Sequence, residues 1–298
     1  MAEQTAKRPV SVPLMADLAA RGESPEVLFW VGCAGAFDDR YKRVTRAFVR
    51  ILEHVGVSYA VLGMEESCTG DPAKRAGNEF LFQMQAMTNI ATLNGYGIKK
   101  VVTACPHCFN TIKNEYPALG GEYEVIHHST FLQQLINEGR VTAKGGESFK
   151  GRRITFHDSC YLGRANNIYE APREVLEVLD ADLLEMKRCK TNGLCCGAGG
   201  AQMWKEPEPG KKDVNIERAE EALATLDGDA GVLLNLQGVE STAPVLPAGS
   251  NRGGSVIAVA CPFCMTMMAD GVKNKDREQD VQVFDLAELI ASAEGLNA

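Results

Sequence analysis

One cysteine phrase is written twice in this chain, and it constrains the fold more than any other feature. Ten cysteines stand at positions 33, 68, 105, 108, 160, 189, 195, 196, 261 and 264. Cys33 and Cys68 are 35 positions apart, and so are Cys160 and Cys195. The later member of each pair opens a Cys-x-Gly: Cys68-Thr69-Gly70 and Cys195-Cys196-Gly197. Each half then closes on Cys-Pro-x-Cys, as Cys105-Pro106-His107-Cys108 and Cys261-Pro262-Phe263-Cys264. Equal spacing, a shared glycine and a shared tetrapeptide identify a duplicated unit.

The hydrophobic pattern around the cysteines repeats as well. In the first half, short apolar runs over 26–33, 58–63, 98–105 and 123–127 read as strands. Helical stripes fall over 39–55, 73–94 and 129–138, with a further helix starting near His107. The second half reads alike, with strands over 153–158, 182–186, 255–261 and 281–284. Its helices fall over 171–180, 213–226, 265–271 and 285–293. Alternating strands and helices predict an α/β fold of two tandem, pseudo-symmetric Rossmann-like repeats with parallel sheets. Ligands of such sheets collect beyond the carboxyl ends of the strands, where the loops carrying the motif cysteines can converge. The expected organisation is an N-terminal arm over 1–25, a first repeat over 26–145 and a second over 146–298. The glycine-rich stretch 144–148 is the seam. Gly70 to Cys105 is 35 positions, whereas Gly197 to Cys261 is 64. The excess falls at about 227–254, a Gly-, Ser- and Pro-rich segment that reads as a surface loop or hairpin inserted in the second repeat. It is either a partner-docking element or a tolerated insertion. Residues 11–22 read as a capped helix.

Charge and composition narrow the function. With 31 basic against 39 acidic residues, the net charge is −8, which argues against a nucleic-acid binder driven by phosphate neutralisation. No apolar run approaches the ~18 residues that span a bilayer, and the opening residues have no signal-peptide core. A cytoplasmic location is expected, and in that compartment ten cysteines are ligands or redox groups rather than disulfides. Cys-x-x-Cys sets two thiolates on one tight turn, and the proline suits the first turn of a helix whose N–H groups stabilise negative sulfur. Neighbouring side chains diverge, so Cys195 and Cys196 can touch one object only if it is large. Iron–sulfur clusters held by thiolates fit this set best, one per half. Structural zinc, free buried thiols and a thioredoxin-like dithiol are the alternatives.

At these residues the chain resembles the cysteine-rich CCG-domain family typified by the catalytic subunit of heterodisulfide reductase. The wording of Glu66-Ser67-Cys68-Thr69-Gly70-Asp71-Pro72 and His157-Asp158-Ser159-Cys160-Tyr161-Leu162-Gly163-Arg164 resembles its flavoprotein-linked and general heterodisulfide-reductase-like branch most. The resemblance covers roughly residues 26–293. It implies that Cys160, Cys195, Cys196, Cys261 and Cys264 bind a noncubane [4Fe-4S] cluster. The first half departs from the family pattern, because Thr69 replaces the second cysteine of the adjacent pair. Cys33, Cys68, Cys105 and Cys108 then suit a cubane [4Fe-4S] cluster, or an altered or absent one. The resemblance implies an iron–sulfur redox subunit whose partners are a flavoprotein, a ferredoxin-like protein or a membrane quinone-reducing subunit. It would be cytoplasmic, or peripheral at the inner membrane through those partners. The alternative reading is a thiol–disulfide reductase acting on a heterodisulfide.

Several residues outside the ligand set invite a role. Cys189 stands outside the repeat and reads as a plain thiol. His107 either tunes the first cluster or faces solvent. His127 and His128 follow a strand end, within reach of the first cluster or in structural hydrogen bonds. His157 and Asp158 precede Cys160 and are candidate supporting or proton-donating groups. Met265, Met267 and Met268 read as packing. The glycines 197, 199 and 200 lack the context of a nucleotide loop.

Overall fold

The computed structural model describes residues 12–206, 209–228, 232–234, 240–241 and 254–296. In the first half the elements run α1 (Met15–Ala20), β1 (Val27–Trp30), α2 (Gly32–Phe37), α3 (Tyr41–His54), β2 (Tyr59–Ala60), α4 (Asp71–Arg75), α5 (Glu79–Gly95), β3 (Lys100–Thr103), α6 (Pro106–Asn110), β4 (Glu124–His127) and α7 (His128–Asn137). The second half runs β5 (Arg153–Phe156), α8 (Gly163–Asn166), α9 (Glu170–Glu177), β6 (Asp182–Glu185), α10 (Val214–Asp227), β7 (Val232–Leu234), β8 (Glu240–Ser241), β9 (Ser255–Val259), α11 (Pro262–Asn274), β10 (Val281–Asp285) and α12 (Leu286–Ala293).

The first sheet has the order β2-β1-β3-β4 and is parallel throughout. The second has the order β10-β9-β5-β6-β7-β8. With β5, β6, β9 and β10 as the copies of β1 to β4, the two parallel cores have the same strand order. They also share register: Leu28 pairs with Val101, and Ile154, at the equivalent position, pairs with Val256. The duplication seen in the cysteines is therefore a duplication of the whole sheet. β1 and β9 bury every side chain, as central parallel strands covered on both faces must. α3 packs Tyr41, Val44, Phe48, Ile51 and Leu52 inward from one face.

Some elements differ from the sequence reading. The single helix expected over 73–94 is two, α4 and α5. Gly77 takes a left-handed φ of 85°, and the Asn78 side chain accepts the Leu81 N–H at 3.1 Å, so a terminator and a cap adjoin. α5 also keeps Phe80, Met84 and Met87 exposed opposite its buried face, which blurs its periodicity. The N-terminal helix begins later than a Ser11 cap implies: its N-cap is Leu14, with no side-chain bond, and Ser11 lies outside the described residues. Most of the 227–254 insertion also lies outside them. Its described parts are the end of α10 and the strands β7 and β8, which extend the second sheet antiparallel from β6.

The two halves share a continuous apolar core. Arg40 forms a two-pronged ion pair with Glu288, at 2.6 and 2.8 Å, across the seam. Buried Asp285 accepts from the Tyr41 hydroxyl at 3.2 Å and meets His128 Nε2 at 2.8 Å. The backbone N–H groups of Gly146 and Glu147 donate to Ala293 and Ser292 at the end of α12. Among the described residues no helix is long and apolar enough to cross a membrane.

Candidate metal centre

All motif cysteines lie past the carboxyl ends of strands. Cys33 follows β1, Cys68 follows β2, and Cys105 follows β3 and caps α6 with Pro106 at the first helical position. Cys160 follows β5, and Cys195 and Cys196 lie in the long loop after β6. Cys261 follows β9 and caps α11, with Pro262 placed like Pro106. The loops after β1 and β3, and after β5 and β9, flank the switch points where strand order reverses, the usual ligand position of such sheets. The glycine shared by the repeat has the same task twice. Gly70 and Gly197 both adopt φ of 90° and donate their N–H groups to Cys68 Sγ at 3.5 Å and Cys195 Sγ at 3.3 Å. A side chain is excluded at either, since a Cβ on Gly70 would lie 2.8 Å from Phe82, and the φ itself is strained for an L-residue.

Cys33, Cys68, Cys105 and Cys108 line one cavity together with Thr69 and His107. The Cys33 thiol donates to Cys68, which raises Cys33 and brings Cys68 down to about 6. Burial pushes Cys105 well up. Thr69, 2% exposed, points its hydroxyl at Cys108 Sγ, 3.7 Å away. The residue standing in place of a cysteine thus touches the thiol group. Half-buried Glu66 is raised to about 7 by desolvation; it accepts the N–H groups of Val31 and Gly32 at 3.0 and 2.6 Å, fixing the turn that carries Cys33.

The second group contains Cys160, Cys195, Cys196, Cys261 and Cys264. Cys160 and Cys196 both donate to Cys195, which lies far below the ordinary thiol range. Cys264 Sγ stands 3.4 Å from Cys196 Sγ. Burial acts to raise Cys261, but Cys264 and His107 outweigh it and bring the thiol to about 5. Within 4.8 Å of one another lie the ligating atoms of His157, Cys196 and Cys264. Arg218 Nε donates to His157 Nδ1 at 3.0 Å. Burial, seconded by that guanidinium, pushes His157 down to about 3, so the ring is neutral and its proton is on Nε2. This Nε2 is buried and has no partner among the described residues.

The donor chemistry tests what could sit here. In each group some thiols are charged only because neighbours stay protonated and donate to them. Four or five thiolates at once would repel, and a multiply charged cation centre relieves that repulsion. All-sulfur donor sets suit soft ions and iron–sulfur clusters. The unpartnered His157 N–H, on a ring with a nitrogen within 4.8 Å of the Cys196 and Cys264 sulfurs, would find an acceptor in a cluster sulfur. The residues therefore fit such a group in both halves.

The groups meet across the seam. His107 is buried rather than solvent-facing, with Nδ1 2.8 Å from Asp71. Its ring stacks on Tyr161 at 4.1 Å and meets the edge of Phe263 at 4.7 Å, and it also hydrogen-bonds Cys261. Burial alone would lower His107, yet Asp71 and Cys261 raise it to about 10. One imidazole of the first Cys-Pro-x-Cys turn thus touches the second. His127 and His128 join neither group. They bond Ser129 and Asp285 and serve the seam. Asp158 accepts both terminal nitrogens of buried Arg173 at 2.9 and 3.0 Å, a structural use. Cys189 is half-buried, pushed up to about 11 by burial, and bonds no motif thiol. Met265 and Met268 are core residues. Glu66, Asp71, Tyr161 and Arg218 were not singled out by sequence reasoning. The first three sit in the quoted wording around Cys68 and Cys160; Arg218 carries no sequence signal.

Comparison with known proteins fits this geometry. The cysteine-rich domain family matches residues 27–113 and 154–232, so its second match stops at the insertion, short of Cys261. The EtfAB:quinone oxidoreductase of Syntrophomonas wolfei is 40% identical over 278 residues, covering 91% of this chain and 35% of that protein. The probable iron-sulfur-binding oxidoreductase FadF of Bacillus subtilis is 40% identical over 283 residues, 95% of this chain and 36% of its own length. A dihydromethanophenazine:CoB–CoM heterodisulfide reductase polypeptide of Methanosarcina barkeri is 31% identical over 284 residues, 92% of this chain and 60% of that polypeptide. The chain thus spans little more than a third of the length of the first two. With both repeats matched and the cysteine phrase written twice, the chain belongs to the cysteine-rich CCG-domain family.

Proposed function

We propose that this chain is an iron–sulfur redox subunit that passes electrons between a protein donor, such as an electron-transferring flavoprotein, and a quinone-linked or ferredoxin-like acceptor. Cys33, Cys68, Cys105 and Cys108 would hold a cubane [4Fe-4S] cluster in the repeat over 26–145. Cys160, Cys195, Cys196, Cys261 and Cys264 would hold a noncubane [4Fe-4S] cluster in the repeat over 146–298. Bound clusters supply one-electron storage; the protein supplies thiolates, N–H donors and the dry path between the sites. The observation that carries the reading is the contact of His107 with Tyr161, Phe263 and Cys261, which brings the two thiol groups within one side chain of each other. The names of the Syntrophomonas and Bacillus relatives support the redox assignment, and the Syntrophomonas name supports the flavoprotein–quinone pairing. A quinone-linked acceptor would hold the chain at the inner membrane surface.

The likeness to a heterodisulfide reductase polypeptide favours a second reading, reduction of a small disulfide. Against it stands Thr69, since only the second half keeps five motif cysteines. Anaerobic stopped-flow separates the two. The oxidised protein is mixed with reduced electron-transferring flavoprotein, and the chemically reduced protein with heterodisulfide, cystine or a lipoyl compound. Rapid reduction by the flavoprotein and slow re-oxidation by every disulfide is expected. Stoichiometric re-oxidation by a disulfide, lost in Cys196→Ser, overturns the electron-carrier reading in favour of the reductase.

A further inference from the structure

A cavity of about 540 Å³ opens at the seam between the halves, and none of the ten cysteines lines it. α3 of the first half provides one wall with Arg43, Arg46 and Arg50. The spacing i, i+3, i+7 puts all three on one helix face, over a length of about 10 Å at 1.5 Å per residue. The opposite wall comes from the second half: Phe149 and Arg152, Phe284 of β10, and Leu289 of α12.

The charge balance is one-sided. Two carboxylates line the cavity, Glu147 and Glu288. Glu147 is taken by Arg152 at 2.6 Å and by the Ser292 hydroxyl at 2.7 Å. Glu288 is taken by both prongs of Arg40 and by the Asp285 N–H. Arg43 and Arg46 have no ion-pair partner among the described residues, and Arg50 only donates to the Leu296 carbonyl at 3.2 Å. Asp39, the carboxylate that feels Arg46, is paired with Lys42 at 2.8 Å. Three guanidinium charges therefore face one cavity on a chain whose net charge is −8. Guanidinium binds phosphate and carboxylate through paired N–H donors. A row of three outreaches a single small anion and matches an oligoanion. On the opposite wall Phe284 is half-buried, with Phe149 and Leu289 buried behind it, and its ring adds a place for an organic group. A concave cavity of this size falls in the range of about 300–1,000 Å³ typical of small-molecule sites, which favours a small ligand over a docked acidic peptide.

We infer that this seam cavity binds an organic oligophosphate of the nucleoside diphosphate class, its phosphates along Arg43, Arg46 and Arg50 and its apolar part against Phe284. Both halves would then hold one ligand, so its occupancy would act on how the repeats are clamped together. The inference is independent of what the cysteines bind.

The test is anaerobic isothermal titration of the purified, cluster-loaded protein with ADP, and separately with inorganic pyrophosphate and a glutamate-rich peptide. One ADP per chain is expected. Its affinity should fall by about ten-fold or more in Arg43→Ala/Arg46→Ala, the loss of charged hydrogen bonds, while the visible spectrum stays unchanged because no cysteine lines the cavity. Affinity should also fall steeply with salt. No saturable ADP binding, or binding unaltered in the double variant, overturns the site. Pyrophosphate binding as tightly as ADP overturns the role of the apolar wall, and tighter binding of the acidic peptide overturns the small-molecule assignment.

Discussion

His157 shows how a single residue is committed by its neighbours. Arg218 occupies Nδ1, so the neutral ring keeps its N–H on Nε2, which is buried without a partner among the described residues, and a ring nitrogen lies within 4.8 Å of the Cys196 and Cys264 sulfurs. Hydrogen bonds to cluster or thiolate sulfur stabilise the reduced, more negative state and raise the potential. Replacing His157→Phe should lower the potential of the second site by roughly 60 mV, a ten-fold shift in a one-electron equilibrium, while His157→Gln, which keeps an N–H, should restore part of it. EPR-monitored redox titration reads this directly, and an unshifted potential in the Phe variant would refute the N–H to sulfur bond. The same scale separates Thr69 from Cys196. Thr69→Ala should leave the first site's spectrum close to the parent, because a hydroxyl 3.7 Å from Cys108 Sγ trims the site without supplying a thiolate. Cys196→Ser should change or abolish the second site's spectrum. Bleaching of the first site in Thr69→Ala would show that its ligand set is not the four cysteines. The thiols and His157 were readable in the sequence, since spacing and adjacency to Cys160 mark them. Arg218 was not, because an arginine on a helix 61 positions away gives no local sign that it will lock an imidazole.

Elements were legible where one periodicity dominated. The central strands are unbroken apolar runs, and α3 has one clean face, so both stood out. The split between α4 and α5 did not, because a Gly-Asn pair inside an otherwise helical stretch reads as a weak flaw until Gly77 takes a positive φ and Asn78 caps the next helix. β7 and β8 pair antiparallel, as the hairpin alternative for 227–254 expects, though turn residues outweigh the short apolar run and hide the strand bounds. α10 and α11 make a further point about fit. Gly271 lies inside α11, and a Cβ there would stand 2.5 Å from Ala219 Cβ and 3.0 Å from the Asn215 carbonyl. Gly271→Ala should therefore destabilise by about 1–3 kcal/mol through overpacking, despite alanine's better helix propensity. Thermal denaturation under anaerobic conditions would show a Tm several degrees lower. A raised Tm would mean that the two helices separate at little cost.

Across the whole molecule the repeat explains the seam. Two copies of one sheet place their thiol loops at the same ends of the strands, and the remaining contacts lock the copies together. Asp285 is the central polar contact, fully buried between Tyr41 and His128 of the first half while capping α12 of the second. Asp285→Ala strands His128 Nε2 and leaves the Tyr41 hydroxyl with the Ala104 carbonyl alone, and should cost about 1–3 kcal/mol, as an unsatisfied buried polar group does. Because one core spans both halves, urea unfolding of the parent should remain a single transition followed alike by cluster absorbance and far-UV circular dichroism. Two separated transitions in the parent would show that the halves are stable alone. The duplicated architecture was visible from cysteine spacing. The seam cavity was not, since its arginines and its apolar wall come from opposite halves of the chain.

The most direct test of two clusters on nine thiolates is anaerobic iron and acid-labile sulfide analysis combined with low-temperature EPR of the reduced and oxidised protein. Two [4Fe-4S] clusters predict about eight irons and eight sulfides per chain, with two distinct signals, of which only the second is altered in Cys196→Ser. A reproducible four irons with one signal, or a colourless protein with stoichiometric zinc, would contradict it.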